Sequence, residues 1–186
     1  MTFTEDSYEK ALIALFDNLG YQYLYGPNIE RDYYTPFYEE QLVNSLHTIN
    51  SNKPKAAINE AIAKLKAIDT GSLIQKNEHF MDYLQHGVEV SYHNGKEQRH
   101  EIIYLIDYAN VNRNSFQIVN QWTFVEHSEK RADIIIFING LPVVVIELKS
   151  PSREETDASE AYLQLRNYMK EIPSLFIYNV FCVMSD

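Results

Sequence analysis

Apolar positions along residues 8–19 recur at three- and four-residue steps, placing Tyr8, Leu12, Leu15, Phe16 and Leu19 on one helical stripe. Gly20 stands where a helix stop is expected, and Asp6 followed by Glu9 reads as a capping box at the start. Residues 21–33 read as a short extended piece and a loop. From about 36 to 86 the pattern is helical: Leu42, Leu46 and Ile49 mark one helix, Ala57, Ile58, Ala61, Ile62 and Leu65 a second, and Phe80, Tyr83 and Leu84 a third. At 87 the period changes to two. Val88, Val90 and Tyr92 alternate up to Asn94-Gly95, a hairpin signal. Strand-like runs follow at 102–108, 116–127 and on both sides of Asn139-Gly140, then a helix at roughly 154–172 and a strand at 175–183.

The order of these elements predicts an α/β chain in which a helical part leads into a strand meander. Because the last helix lies between two strands, the closing unit is expected to cross over, which makes the sheet mixed. At 186 residues the chain reads as one unit over 1–186, helical over roughly 1–86 and sheet-bearing over roughly 87–186. It ends just after an apolar run, so it is expected to be part of a longer protein.

Composition narrows the classes. An apolar content of 45%, with 14 Tyr and 9 Phe, is ample for a packed core and argues against disorder. No apolar run approaches the ~20 residues of a membrane-spanning helix. The N-terminus has no basic region followed by an apolar one, so no secretory signal is read there. Cys182 is the single cysteine, which rules out an internal disulfide or a cysteine-based zinc site and fits a cytoplasmic location. The net charge of −10 argues against gripping nucleic acid by electrostatics alone; such a role would need a cation, a local basic surface or other domains.

Charge interrupts the greasiest stretch, RADIIIFINGLPVVVIELKSP, at Asp133, Glu147 and Lys149. Glu147 and Lys149 are two residues apart and leave one face of a strand. With a plain two-residue turn at Asn139-Gly140, Asp133 falls opposite Ile146 and points away from Glu147. An odd loop or a bulge near 139–142 would bring all three charges to one face, and Pro142, lacking an N–H, disfavours regular pairing there. Two carboxylates at one point favour a hard divalent cation, and a nearby lysine can neutralise charge on a phosphate. The predicted chemistry is metal-assisted phosphodiester hydrolysis. The plainer reading is a same-face ion pair between Glu147 and Lys149, with Asp133 a solvated strand start.

Asp133 followed by Glu147-Leu148-Lys149 on adjacent apolar strands resembles the PD-(D/E)xK nuclease signature, with Ala132 in place of the proline. The wider text, from YEKALIALFDNLGY through LIDYANVNRNSF and NGLPVVVIELKSP to a downstream Gln-x-x-x-Tyr, is similar to the N-terminal endonuclease domain of type I restriction enzyme R subunits. The resemblance covers essentially the whole chain. It implies a restriction-endonuclease-like mixed central sheet flanked by helices, with a helical N-terminal insertion. It further implies Mg²⁺ as cofactor, Asp133 and Glu147 as metal ligands with the backbone carbonyl of Leu148, and Lys149 as the catalytic lysine. Gln164 and Tyr168 match the Gln-x-x-x-Tyr motif, and Glu9 matches an acidic residue on the first helix that can add a metal contact. The implied partners are double-stranded DNA, modification and specificity subunits, and ATP-dependent motor domains beyond residue 186.

Plainer roles stand beside these. Glu9 also fits a capping box, and Tyr168 lies on the apolar stripe Ala161, Leu165, Tyr168, Ile172. Asp107 suits a turn, the six histidines suit surface or packing roles, and Glu154-Glu155 suit a helix N-terminus. No G-x-x-x-x-G-K-[ST] motif occurs, so no ATP site is expected within this stretch. Two other functions stay open: a stand-alone or repair-type nuclease, and a non-catalytic DNA-binding or docking module of the same fold.

Overall fold

A computed structural model describes residues 5–93, 95–149 and 158–185. Helix α1 (Glu5–Asn18) leads to strand β1 (Gln22–Tyr25). Helices α2 (Glu39–Ile49), α3 (Lys55–Lys66) and α4 (Leu73–His86) follow, then a hairpin of β2 (Val88–His93) and β3 (Gln98–Ile103). The remaining elements are β4 (Phe116–Val125), β5 (Glu129–Ile138), β6 (Leu141–Leu148), α5 (Ala158–Glu171), α6 (Pro173–Ile177) and β7 (Phe181–Ser185).

Five strands form a central mixed sheet in the order β1-β4-β5-β6-β7. β1 runs parallel to β4, and β7 runs parallel to β6 through the crossover containing α5, as the strand–helix–strand order requires. The β2–β3 hairpin is a separate two-stranded sheet, not a continuation of one meander. On one face of the central sheet, Ile118, Ile134, Ile136 and Ile146 join a core with residues of α2, α3, α4 and the hairpin, and Tyr8, Leu12 and Phe16 of α1 pack against it. On the other, Val119, Ile135, Phe137 and Val145 meet Leu165 and Tyr168 of α5 and Phe176 of α6. Every residue of β6 is buried, the state its unbroken apolar run calls for.

Gly20 ends α1 as expected: its φ is +88°, its N–H donates to the Asp17 carbonyl and that of Tyr21 to the Phe16 carbonyl. Three local readings are corrected. Asp6 does not cap α1; it lies inside the helix and pairs with Lys10 one turn on, at 2.7 Å. The run 102–108 is not a strand throughout, because β3 ends at Ile103 and buried Asn50 takes both the N–H and the carbonyl of Tyr104. Residues 175–177 belong to α6, not to a strand. Pro173 starts that helix, Glu126 accepts from the Ser174 N–H and hydroxyl, and a short apolar run has no period to distinguish helix from strand. Asp107 accepts from the Asn110 N–H and pairs with Arg113, the turn role expected of it. Asn94 of the hairpin signal and Glu154-Glu155 lie outside the described residues.

Candidate active site

The turn between β5 and β6 is a two-residue one: Ile138 pairs with Leu141 and Phe137 with Pro142. The register then shifts. Ile136 pairs with Val144, Ile135 with Val145 and Ile134 with Ile146, so Val143 is an extra residue, a bulge one position past the predicted window. Continued by one step, this register sets Asp133 opposite Glu147. The turn is held by Asn139, at φ +53°, whose amide donates to the Leu105 carbonyl and to Asn114 Oδ1, both within 2.9 Å.

Glu147 is fully buried. Its Oε2 accepts from Gln164 Nε2 at 2.6 Å, while its Oε1 is buried and finds no hydrogen-bond donor among the described residues. Burial, and then the adjacent Asp133 carboxylate, push its pKa up to about 9. Asp133 Oδ2 accepts from the Leu148 N–H at 2.9 Å, which ties the Leu148 backbone to the site. Lys149 is half-buried, and its Nζ donates to Gln164 Oε1. Gln164 Nε2 also reaches the Tyr168 hydroxyl at 2.8 Å, and that hydroxyl donates to the Arg131 carbonyl at 3.0 Å. Burial raises the Tyr168 phenol, and the nearby Glu147 raises it further.

Five of the expected residues are therefore joined: Asp133, Glu147 and Lys149 on the hairpin, Gln164 and Tyr168 one turn apart on α5. Gln164 has a larger part than its place beside the helix stripe implied, because its single amide links Glu147, Lys149 and Tyr168. Tyr168 has its ring in the core and its hydroxyl on Gln164. Glu9 is engaged elsewhere: it accepts from Asn120 Nδ2 at 2.6 Å and Gln121 Nε2 at 2.8 Å. Among the described residues, no three His, Cys, Asp or Glu side chains gather at one point. Magnesium is commonly held by one or two carboxylates, with waters and substrate phosphate completing its shell. A facing pair of carboxylates with one buried, unpartnered oxygen fits that ion.

Residues 2–186 match the family described as the N terminus of the type I restriction enzyme R protein. The chain belongs to that family. As an R-protein N-terminal domain, it is 32% identical, over 98% of its length, to the type I restriction enzyme HindI endonuclease subunit of Haemophilus influenzae, of which it covers 18%. It is 29% identical, over 96% of its length, to the putative type I restriction enzyme MjaIXP endonuclease subunit of Methanocaldococcus jannaschii, again covering 18%. This domain thus spans about a fifth of the length of these relatives. No helix among its described residues is long and apolar enough to cross a membrane.

Proposed function

We propose that this domain is a magnesium-dependent endonuclease that hydrolyses DNA phosphodiester bonds, the cleavage module of a type I restriction enzyme. The observation that carries the reading is the buried Glu147 carboxylate, facing Asp133 with one oxygen unpartnered and tied through Gln164 to Lys149. A structural ion pair would not need a second carboxylate opposite it, since each of two adjacent carboxylates makes ionising the other more costly. Asp133, Glu147 and the Leu148 carbonyl would hold the ion, which when bound neutralises phosphate charge and makes a water more acidic.

The chain's own residues do the rest. Lys149 presents a cation to the non-bridging phosphate oxygens, where negative charge builds up during attack. Gln164 accepts from Lys149 and donates to Glu147, so one rigid amide fixes the distance between cation and carboxylate. Tyr168 anchors that amide to the β5 backbone through Arg131. Residues 1–186 would act as one nuclease unit, with DNA delivered by ATP-driven motor domains of the longer subunit and the target chosen by modification and specificity subunits. Such delivery accounts for a nuclease domain with a net charge of −10.

Cleavage by the assembled complex with Mg²⁺ and ATP tests the proposal. Lys149→Ala should lower cleavage by about 100-fold or more. Equal cleavage by the variant and the wild type would remove Lys149 from the reaction.

A further inference from the structure

Strand β4 changes the face it presents part-way along. Val119 lies in the core on the α5 side of the sheet, and so do Trp122 and Phe124. Strict alternation cannot put 119 and 122 on the same side. The switch is made at Gln121, whose φ of +54° is left-handed and uncommon for any residue but glycine.

This backbone is held from three directions. Glu9 of α1 accepts from the side-chain amides of both Asn120 and Gln121. The Tyr23 hydroxyl donates to Asn120 Oδ1 at 3.2 Å. Gly26 passes so close that a Cβ on it would lie 2.7 Å from the Asn120 carbonyl oxygen and 2.9 Å from that of Gln121. Such over-determined strain is characteristic of functional sites.

The position of the switch gives it meaning. Asn120 pairs with Ile134 and Trp122 with Ala132, so Gln121 lies across from Asp133, on the side away from Glu147. In a regular strand residue 121 would follow Val119 onto the α5 face, next to Asp133. Here its side chain turns to Glu9 instead, into a cleft of about 460 Å³ lined also by Lys10, Tyr23 and Tyr25.

We propose that Gln121 is a positioning residue of the nuclease site: latched to Glu9, its left-handed backbone keeps the β4 flank of Asp133 uncrowded, so that the Asp133 carboxylate stays free to turn to the metal it shares with Glu147. This rests on the reading of Asp133 and Glu147 as metal ligands. Glu9 then serves the site through the Asn120–Gln121 backbone.

The test uses the full-length subunit, with Mn²⁺ binding followed by electron paramagnetic resonance and cleavage measured in the assembled complex. Circular dichroism confirms that each variant is folded. Gln121→Val favours extended backbone and sends a branched side chain onto that flank; its Mn²⁺ affinity and cleavage should fall about 10- to 100-fold. Gln121→Gly leaves the flank empty in either conformation and should keep Mn²⁺ affinity within about threefold. If the valine variant does not fold, Gln121→Thr makes the same comparison with a smaller branched side chain. Wild-type Mn²⁺ affinity in the β-branched variant, or an equal loss in Gln121→Gly, would overturn the proposal. Asp133→Ala separates the two levels: if it binds Mn²⁺ and cleaves like the wild type, the metal-site reading itself fails.

Discussion

Asp133 faces Glu147 across β5 and β6 because Val143 is skipped between the Phe137–Pro142 and Ile136–Val144 pairs. Without that extra residue, Asp133 would lie opposite Ile146 and the two carboxylates would leave opposite faces of the sheet. The geometry of the turn therefore decides which side chains meet several residues away, and its supports are open to test.

Gly140 is one support. Its φ is +79°, and a Cβ there would meet the Leu42 nitrogen and the Tyr38 carbonyl oxygen at 2.5 Å, both backbone atoms that cannot swing away. Gly140→Ala should destabilise the domain by about 2 kcal/mol or more, read as a lower urea midpoint. An unchanged midpoint would mean that the turn does not depend on its seat against α2.

Gln164 is the link most easily removed without disturbing the core. Gln164→Ala removes the amide that donates to the buried Glu147 carboxyl and accepts from Lys149. Cleavage should fall about 10- to 100-fold. Tyr168→Phe removes only the anchor behind Gln164 and should cost less activity, with a loss of about 1 kcal/mol in stability. The reverse ranking in steady-state cleavage would contradict the arrangement.

Glu147 makes the domain pH-sensitive while no metal is bound. Its folded pKa of about 9 lies above the ordinary 4.5, so the folded state binds the proton more tightly than the unfolded state does. The stability tied to this group is fully present below pH 4.5 and is lost as pH rises towards 9. A cation requires the carboxylate form, so its binding near pH 7.5 should release about one proton. Calorimetry in buffers of different ionisation enthalpy counts that proton. Glu147→Gln should release none, and its stability should fall less between pH 5 and 9 than that of the wild type.

What was legible in the sequence follows from how each feature is encoded. Long periodic segments such as α3, and the unbroken run of β6, announce themselves because burial imposes their pattern. The bulge was readable through strand parity, since three charges on apolar strands make chemical sense on one face only, and Pro142 marked the neighbourhood. Its seat at Val143 was not readable, because Val143, Val144 and Val145 are alike and packing chooses among them. Residues Leu175–Ile177 read as strand for a related reason: they are buried on all sides, and it is the Glu126 contact, far away in sequence, that stabilises the helix start. The linking role of Gln164 was out of reach too, because it depends on how α5 crosses the β6 strand. The left-handed Gln121 had no signal at all, since glycine or asparagine is the usual marker of such a backbone.

The most direct measurement is a crystal structure of the domain soaked in Mn²⁺, with anomalous scattering used to locate the metal. Density is expected between Asp133 and Glu147, in contact with the buried Oε1 of Glu147. Carboxylates on opposite faces of the hairpin, or metal bound elsewhere with this pair left bare, would contradict it.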